Sequence, residues 1–225
     1  MTTSTPVTIY AATLTERIAG ALAAEADAIH RAATASARAI THGAPLAVYD
    51  SGHIIAHELF NRAGGLAALT RVDLADKTPE TAASELDPQS VLFLGSVSGT
   101  SAAVVELALQ AAARGLTTVG ISSREYSTQL ESHHASGKRL LEVVDIAIDN
   151  HAPYGDAMLQ PPLGERLIAP FSGISAASLM WAVVVETIWL LNEAGIEPTV
   201  FKSSNLPGGM ELYEASLARY QELRH

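Results

Sequence analysis

The sequence predicts an α/β fold in which a doubly wound, parallel, five-stranded sheet is covered by helices on both faces. Short apolar runs alternate with helical segments, and the runs are apolar throughout, as in strands buried on both sides. The chain has 225 residues, of which 48% are hydrophobic, and a mean hydropathy of +0.19. That composition can bury the core of one generous domain, whereas two independent cores would be thin. We therefore expect residues 1–225 to form a single domain.

A long amphipathic helix is predicted ahead of the first strand. Apolar residues recur at helical spacing from Leu14 to Ile40, and the alanines among them suit close packing. We assign residues 1–43 to this N-terminal helix, 44–195 to the αβα core and 196–225 to a tail and a final helix. Because a leading helix of this kind often packs on a neighbouring subunit, we expect a homodimer or homotetramer.

The clearest strands are four apolar runs, each followed by a turn or a helix. They span residues 45–49, 90–94, 116–121 and 143–148. Residues 71–89 are interpreted as a connection and 150–170 as a long irregular loop, before a helix at 173–193. Ligands of doubly wound sheets bind beyond the carboxyl ends of the strands, so the polar loops after the strands should gather at one edge.

Charge and composition exclude several classes of partner. Lys and Arg total 14 against 24 Asp and Glu, a net charge of −10, which disfavours nucleic acid and anionic membranes. The chain has no cysteine for a disulfide or a thiolate metal site. The apolar stretch 174–191 carries Ser175, Ser178 and Glu186, which indicates a buried core helix instead of a membrane span. Since the first residues do not resemble a signal peptide, we expect a cytoplasmic protein.

The most informative segment follows the second predicted strand. Residues 96–101 carry four hydroxyl side chains in six positions and lead directly into a helix. The free N–H groups of a helix N-terminus bind anions without any Lys or Arg. One Ser or Thr would be enough to cap the helix, so the additional hydroxyls indicate a binding loop.

These residues carry a resemblance to a known family. Its signature is an apolar strand, then Ser-x-Ser-Gly-x-Thr, then a helix ending in Gly, then a strand that closes on Ser or Thr. The matching residues are Ser96, Ser98, Gly99, Ser101, Glu106, Gly115 and Ser122. Over residues 45–191 the chain thus resembles the SIS (sugar isomerase) family of phosphosugar isomerases and phosphosugar-binding regulators. Motifs at 62–66, 136–140 and 149–156 are similar to those of one single-domain branch of that family.

The resemblance implies a flavodoxin-like sheet and a small sugar or sugar-phosphate ligand. The residues expected to bind it are Ser51, Gly52, Ser96, Ser98, Gly99, Thr100, Ser101, Ser122, Ser172 and Lys202, of which Lys202 supplies positive charge. The first loop departs from the family's Gly-x-Gly turn by carrying Asp50. An aspartate facing the pocket would repel a phosphate dianion but could accept hydrogen bonds from sugar hydroxyls. A phosphorylated and a free sugar therefore both remain possible ligands.

Conversion of an aldose to a ketose needs a base that works near neutral pH and a donor that assists ring opening. Glu58, in the predicted helix after the first loop, and Glu186, in the apolar helix, are the candidate bases. If neither residue is catalytic, Glu58 is expected to be a solvated charge on its helix, and Glu186 is expected to form an ion pair. His134, which recurs in the resembling branch, is the preferred ring-opening residue, and His53, at a loop-to-helix junction, is the second.

The eight histidines also raise the question of a metal. His53 and His57 are four residues apart, and His133, His134 or His151 could contribute from loops. That spacing more often reflects polar packing, so we expect neither a metal nor a cofactor.

The sequence favours an aldose–ketose isomerase acting through an enediol. One alternative is a non-catalytic phosphosugar-sensing module that works through a protein partner. Another is a sugar-phosphate lyase or etherase, in which the same base acts against a different leaving group.

Overall fold

Five parallel strands form the central sheet of the protein. The structure is a computed structural model that describes residues 5–52 and 55–225. The strands run in the order β2-β1-β3-β4-β5, which is the flavodoxin-like doubly wound order and confirms the predicted fold class. They are β1 (Leu46–Asp50), β2 (Leu69–Arg71), β3 (Val91–Gly95), β4 (Thr117–Ser122) and β5 (Ile146–Asp149).

Helices cover both faces of this sheet. Along β3, Val91 and Phe93 pack into one hydrophobic cluster, and Leu92 and Leu94 into another, as alternation along a strand requires. The first cluster is covered by α2 (Ala26–Thr41), α3 (Ala56–Leu59), α7 (Ser172–Glu193) and α8 (Gly209–Leu223). The second is covered by α4 (Pro79–Ser84) and α5 (Ala102–Ala113), while α1 (Pro6–Ala24) precedes α2 and α6 (Arg124–Thr128) follows β4.

The predicted N-terminal helix is divided into two. It begins at Pro6, capped by the Thr5 side chain, and breaks at Glu25. The Glu25 carboxylate accepts hydrogen bonds from the backbone N–H of Asp149 at 3.2 Å and bonds His151 Nε2 at 2.9 Å. The junction between α1 and α2 is therefore attached to the end of β5.

Two short elements lie outside the strands that the sequence analysis assigned. Strand β2 is a three-residue edge strand that pairs with β1, Leu69 opposite Leu46. An antiparallel hairpin of β6 (Ala157–Leu159) and β7 (Ile168–Pro170) lies within the predicted loop 150–170. Three residues are too few to produce a recognisable period, which explains why both were missed.

Helix α7 is the central helix of the larger cluster. Within the described residues it alone is long and apolar enough to span a membrane by length and composition. It nevertheless buries Leu179, Met180, Val183, Val184 and Leu191 in the core beside α2. This packing is that of a core helix, as its polar residues predicted.

The tail between α7 and α8 returns to the segment before β2. Gly64 N–H donates to the Phe201 carbonyl at 2.9 Å, and Phe201 N–H donates to the Gly65 carbonyl at 2.9 Å. Ala67 N–H donates to the Thr199 carbonyl at 3.0 Å. These antiparallel bonds fix residues 199–201 beside residues 64–67.

Candidate active site

The strand order reverses between β1 and β3, and this is where doubly wound sheets open a crevice for ligands. The loops after these two strands contact each other directly. Ser51 donates its backbone N–H to the Gly95 carbonyl at 2.9 Å and its hydroxyl to the same oxygen at 3.2 Å. Gly52, the next residue, is exposed. The predicted binding residues of the first loop thus lie at the switch point of the sheet.

The Asp50 carboxylate is bound by its own loop. Oδ2 accepts the backbone N–H groups of Ile55 and Ala56, both at 2.9 Å, and Oδ1 accepts that of Gly52 at 3.2 Å. Asp50 therefore satisfies the donors that begin α3, as N-terminal capping residues do. Because three backbone dipoles point at this carboxylate, its charge is partly compensated before any ligand arrives.

Most hydroxyls of the serine-rich loop, residues 96–101, stabilise the loop itself. Ser96 Oγ accepts the Gly99 N–H at 3.1 Å, and Ser98 Oγ lies 2.9 Å from Thr100 Oγ1. Ser96 and Thr100 are buried, whereas Ser98 and Ser101 are partly exposed. Ser101 precedes α5, and its hydroxyl has no hydrogen-bond partner within residues 5–52 and 55–225. Ser101 is thus the loop hydroxyl left open to a ligand.

Gly99 is required by the packing of this loop against β4. Its φ is +64°, in the left-handed region, and a Cβ there would lie 2.8 Å from Ser122 Oγ. Ser122 is buried and donates its hydroxyl to the Val97 carbonyl at 3.1 Å. Ser122 therefore positions the loop from behind.

His134 lies beside the serine-rich loop and is joined to Glu106 of α5. The neighbouring His133 N–H donates to the Thr100 carbonyl at 2.9 Å, which ties this segment to the loop. His134 Nε2 lies 2.7 Å from Glu106 Oε2, and His134 Nδ1 accepts the Ser136 N–H at 3.2 Å. Both ring nitrogens are thus bonded within the chain, and the side chain is only 13% exposed.

Glu106 is the group of this pair that faces solvent, since 37% of its side chain is exposed. Its other oxygen accepts a hydrogen bond from Gln110 Nε2 at 2.7 Å. The bonds from Gln110 and His134 favour the charged carboxylate, and they lower the pKa of Glu106. Sequence reasoning noted Glu106 only as part of the family signature. Its position one turn into the helix after the serine-rich loop was the available signal.

Glu58 opens into a cavity of about 490 Å³ between α3 and the start of α7. Its carboxylate pairs with Arg62 Nη2 at 3.1 Å, and about half of each side chain is exposed. The lining residues are Ile55, His57, Glu58, Gly173, Ile174, Ala177, Ser178 and Trp181. Ile55 also lies 3.0 Å from where a Cβ on Gly95 would be. We call this the Glu58 cavity. The Ile55 side chain therefore lies between it and Gly95, the residue before the serine-rich loop.

The structure does not bring the two preferred catalytic candidates onto one face. Glu58 belongs to α3, which packs in the cluster of α2 and α7. His134 is bonded to α5, which packs in the opposite cluster. The Glu58 cavity and the pair formed by His134 and Glu106 are thus two separate groupings near the same sheet edge.

Glu186 is bonded to a histidine of a neighbouring helix. Its Oε1 lies 2.5 Å from His30 Nδ1 of α2. It also follows Ser172, the first residue of α7, by about 21 Å along the helix axis, at about 1.5 Å per residue. The arrangement corresponds to the structural interpretation of Glu186 from the sequence.

The remaining candidates are dispersed. Ser172 is buried and donates its hydroxyl to Asp156 Oδ2 at 3.0 Å, at the start of α7. Lys202 lines a different cavity, beside Arg62. His53 lies outside the described residues. Within the described part of the chain, no group of three or more His, Asp or Glu side chains is arranged to hold a metal ion.

The motif at 149–156 consists of side chains that satisfy backbone donors. Asp149 Oδ1 accepts the N–H groups of Arg124 and His151, at 3.1 and 2.9 Å. Asn150 Oδ1 accepts that of Ala152 at 3.0 Å, and Asp156 Oδ1 accepts that of Ser172 at 2.7 Å. The motif thus fixes the loops after β5 and the start of α7.

Comparison with solved structures finds a distant similarity. A protein from Silicibacter pomeroyi, described as a proposed phosphosugar isomerase, aligns with a TM-score of 0.37 and 16% identity. The alignment covers 80% of this chain and spans only half the length of that protein.

Comparison with curated proteins gives much closer relatives, although no family model matches the chain. A UPF0309 protein of Geobacillus thermodenitrificans is 34% identical over 95% of this chain and 94% of its own length. Those of Shouchella clausii and Streptomyces coelicolor are each 33% identical over 88% of this chain. These alignments extend over nearly the whole of both partners, and the chain therefore belongs to the UPF0309 protein family.

Proposed function

We propose that the protein is an SIS-type isomerase that interconverts an aldose and a ketose, as the free sugar or its phosphate. The observation that carries this proposal is the composition of the Glu58 cavity. It combines a carboxylate, the imidazole of His57, the hydroxyl of Ser178 and the indole of Trp181 in about 490 Å³. That volume is in the range of small-molecule sites, roughly 300 to 1,000 Å³.

In this mechanism Glu58 is the general base. Its carboxylate removes the proton from the carbon next to the carbonyl, giving an enediolate, and returns that proton to the former carbonyl carbon, while the proton of the neighbouring hydroxyl passes to the former carbonyl oxygen. Arg62, at 3.1 Å, orients the carboxylate. His57 donates a proton to the ring oxygen as the ring opens and takes up the proton of the anomeric hydroxyl. Trp181 offers an aromatic face to the C–H side of the sugar.

The polar or phosphorylated end of the ligand binds toward the serine-rich loop in this proposal. The Ser101 hydroxyl is unbonded in the described residues, and it stands at the N-terminus of the twelve-residue helix α5. Hydroxyls and backbone N–H groups at such a terminus bind anions. This supports both a sugar hydroxyl and a phosphate as the group held there.

Glu58→Gln tests the proposal because it keeps the shape of the side chain and removes the base. A panel of aldoses and their phosphates is incubated in heavy water, and exchange of the C2 proton is followed by NMR. Loss of a general base lowers rates by about 10²- to 10⁴-fold, and we expect a decrease of at least 100-fold. Glu80→Gln, an exposed glutamate of α4, is the control and should exchange at the wild-type rate.

Three outcomes decide between the functions. Absence of exchange in the wild type across the panel, or an unchanged rate in Glu58→Gln, would reject the isomerase. Sugar binding by calorimetry without exchange would support the sensing module. A product that has lost its ether substituent would support the lyase or etherase. Calorimetry with a free sugar and its phosphate also identifies which form is the ligand.

A further inference from the structure

A second polar cavity lies between the segment before β2 and the tail before α8. Its volume is about 320 Å³. Its lining is almost entirely polar and consists of Asn61, Arg62, Ala63, Lys202, Ser203, Ser204, Asn205 and Tyr213. We propose that this cavity, here called the Lys202 cavity, binds the phosphate group of a small phosphomonoester. The proposal does not depend on the isomerase activity.

The positive charge of the Lys202 cavity is available to a ligand. The Lys202 ammonium has no ion pair and no hydrogen bond to any of the residues 5–52 and 55–225. Arg62 pairs with Glu58 through Nη2 at 3.1 Å, and a guanidinium has five N–H donors, so it can also donate to a ligand. In a chain of net charge −10, the unpaired Lys202 beside Arg62, whose charge is partly offset by Glu58, is a local reversal of the overall charge. Such a reversal attracts an anion.

Neutral donors surround these cations. The side-chain amides of Asn61 and Asn205 and the hydroxyls of Ser204 and Tyr213 make no hydrogen bond within the described chain. The Tyr213 ring is positioned by stacking on Phe201, with centroids 5.0 Å apart. A phosphate has oxygens for the cations and amides, and the alcohol part of a phosphomonoester has hydroxyls for the remaining groups. The cavity therefore fits a small phosphorylated polyol better than a bare carboxylate.

The walls of the cavity are held in place before a ligand binds. The antiparallel bonds of Phe201 with Gly64 and Gly65 fix one side of it. On the other side, a Cβ on Gly209 would lie 2.5 Å from the Ser203 carbonyl oxygen, so the turn at 208–209 packs directly on the wall. Preformed walls reduce the ordering cost of binding.

Lys202→Ala tests the proposal directly. Isothermal calorimetry measures binding of inorganic phosphate, of glycerol 3-phosphate and of glycerol, all at constant ionic strength. The wild type should bind both phosphates and not glycerol, and Lys202→Ala should weaken phosphate binding at least 10-fold. Lys138→Ala removes an exposed lysine whose ammonium also lacks a described partner, and it should leave phosphate affinity unchanged.

Tyr213→Phe separates the two parts of the ligand. It removes one hydroxyl and keeps every charge, so binding of inorganic phosphate should change less than binding of glycerol 3-phosphate.

Wild-type protein that does not bind phosphate, or Lys202→Ala protein that binds it as tightly as wild type, would overturn the proposal. Equal affinity for glycerol and its phosphate would also overturn it, because the cavity would then be a site for neutral polyols. These readouts are binding constants, so absence of isomerase activity would leave the proposal standing.

Discussion

Hydrogen bonds of single residues decide which polar side chains at the sheet edge remain open to a ligand. Asp50 and Ser96 bond backbone N–H groups of their own loops. His134 has both ring nitrogens engaged. By contrast, Ser101 and Glu58 keep donor or acceptor capacity toward the outside. The sequence identified all five as polar residues near one edge, but it could not show this difference, because irregular loops have no period from which side-chain direction follows.

Glu106 should make the stability of the protein depend on pH in the acid range. Because its pKa in the folded state is lowered from 4.5, its stabilising contribution is present above about that pH and is lost as the pH falls through the folded-state pKa. Urea midpoints measured between pH 7 and pH 3 should therefore fall less steeply in Glu106→Gln than in the wild type. Glu80→Gln should keep the wild-type profile. Parallel profiles for Glu106→Gln and wild type would contradict the assignment.

Among the secondary-structure elements, long apolar segments were predictable and short ones were not. Strand β3, predicted at 90–94, is found at Val91–Gly95, and α7, predicted at 173–193, begins one residue earlier. The helix predicted after the first loop, which carries Glu58, is only four residues long in α3, and Asn61 soon afterwards adopts a left-handed φ of +55°. Elements of three or four residues are set by tertiary pairing and not by local periodicity.

The start of α7 should depend on Asp156. Its Oδ1 accepts the N–H groups of Phe171 at 3.1 Å and Ser172 at 2.7 Å, and its Oδ2 accepts the Ser172 hydroxyl. Loss of such a cap costs about 0.5 to 2 kcal/mol, so Asp156→Ala should lower the free energy of unfolding by that amount. Asp156→Asn keeps an acceptor and tolerates the φ of +67°, so its free energy of unfolding should fall by less. If urea denaturation gives Asp156→Ala the same free energy of unfolding as the wild type, the cap is dispensable.

At the scale of the whole molecule, the sequence predicted the sheet edge at which the polar loops meet but not the cavities. The serine-rich loop was recognisable because its hydroxyls are consecutive in the chain. The Glu58 cavity joins α3 to α7, and the Lys202 cavity joins residues 61–63 to the tail. Cavities between distant segments have no signature in a single sequence, which is why Lys202 was expected beside the serines and lies beside Arg62 instead.

The protein should form a dimer or a larger assembly through the outer face of α7. On that face Val185 is 53% exposed and Trp189 is 66% exposed. A helix that is apolar on all sides is usually buried on all sides. Exposed aromatic residues on such a face are typical of subunit contacts. Sedimentation at micromolar concentration should give a mass above the 23.6 kDa of one chain, and Trp189→Glu should reduce it toward that value. Leu163→Glu, at a position 89% exposed in the loop between β6 and β7, is the control. A monomeric wild type would exclude the assembly.

The Lys202 cavity also links ligand binding to the kinetics of folding. Its two walls are about 140 residues apart in the chain, so the chain must close a long loop before both are present. If that closure comes after the rate-limiting barrier, a bound phosphate stabilises only the completed fold. It then slows unfolding and leaves the folding rate unchanged. The lifetime of the native state, and not the speed at which it forms, would in that case depend on the supply of ligand.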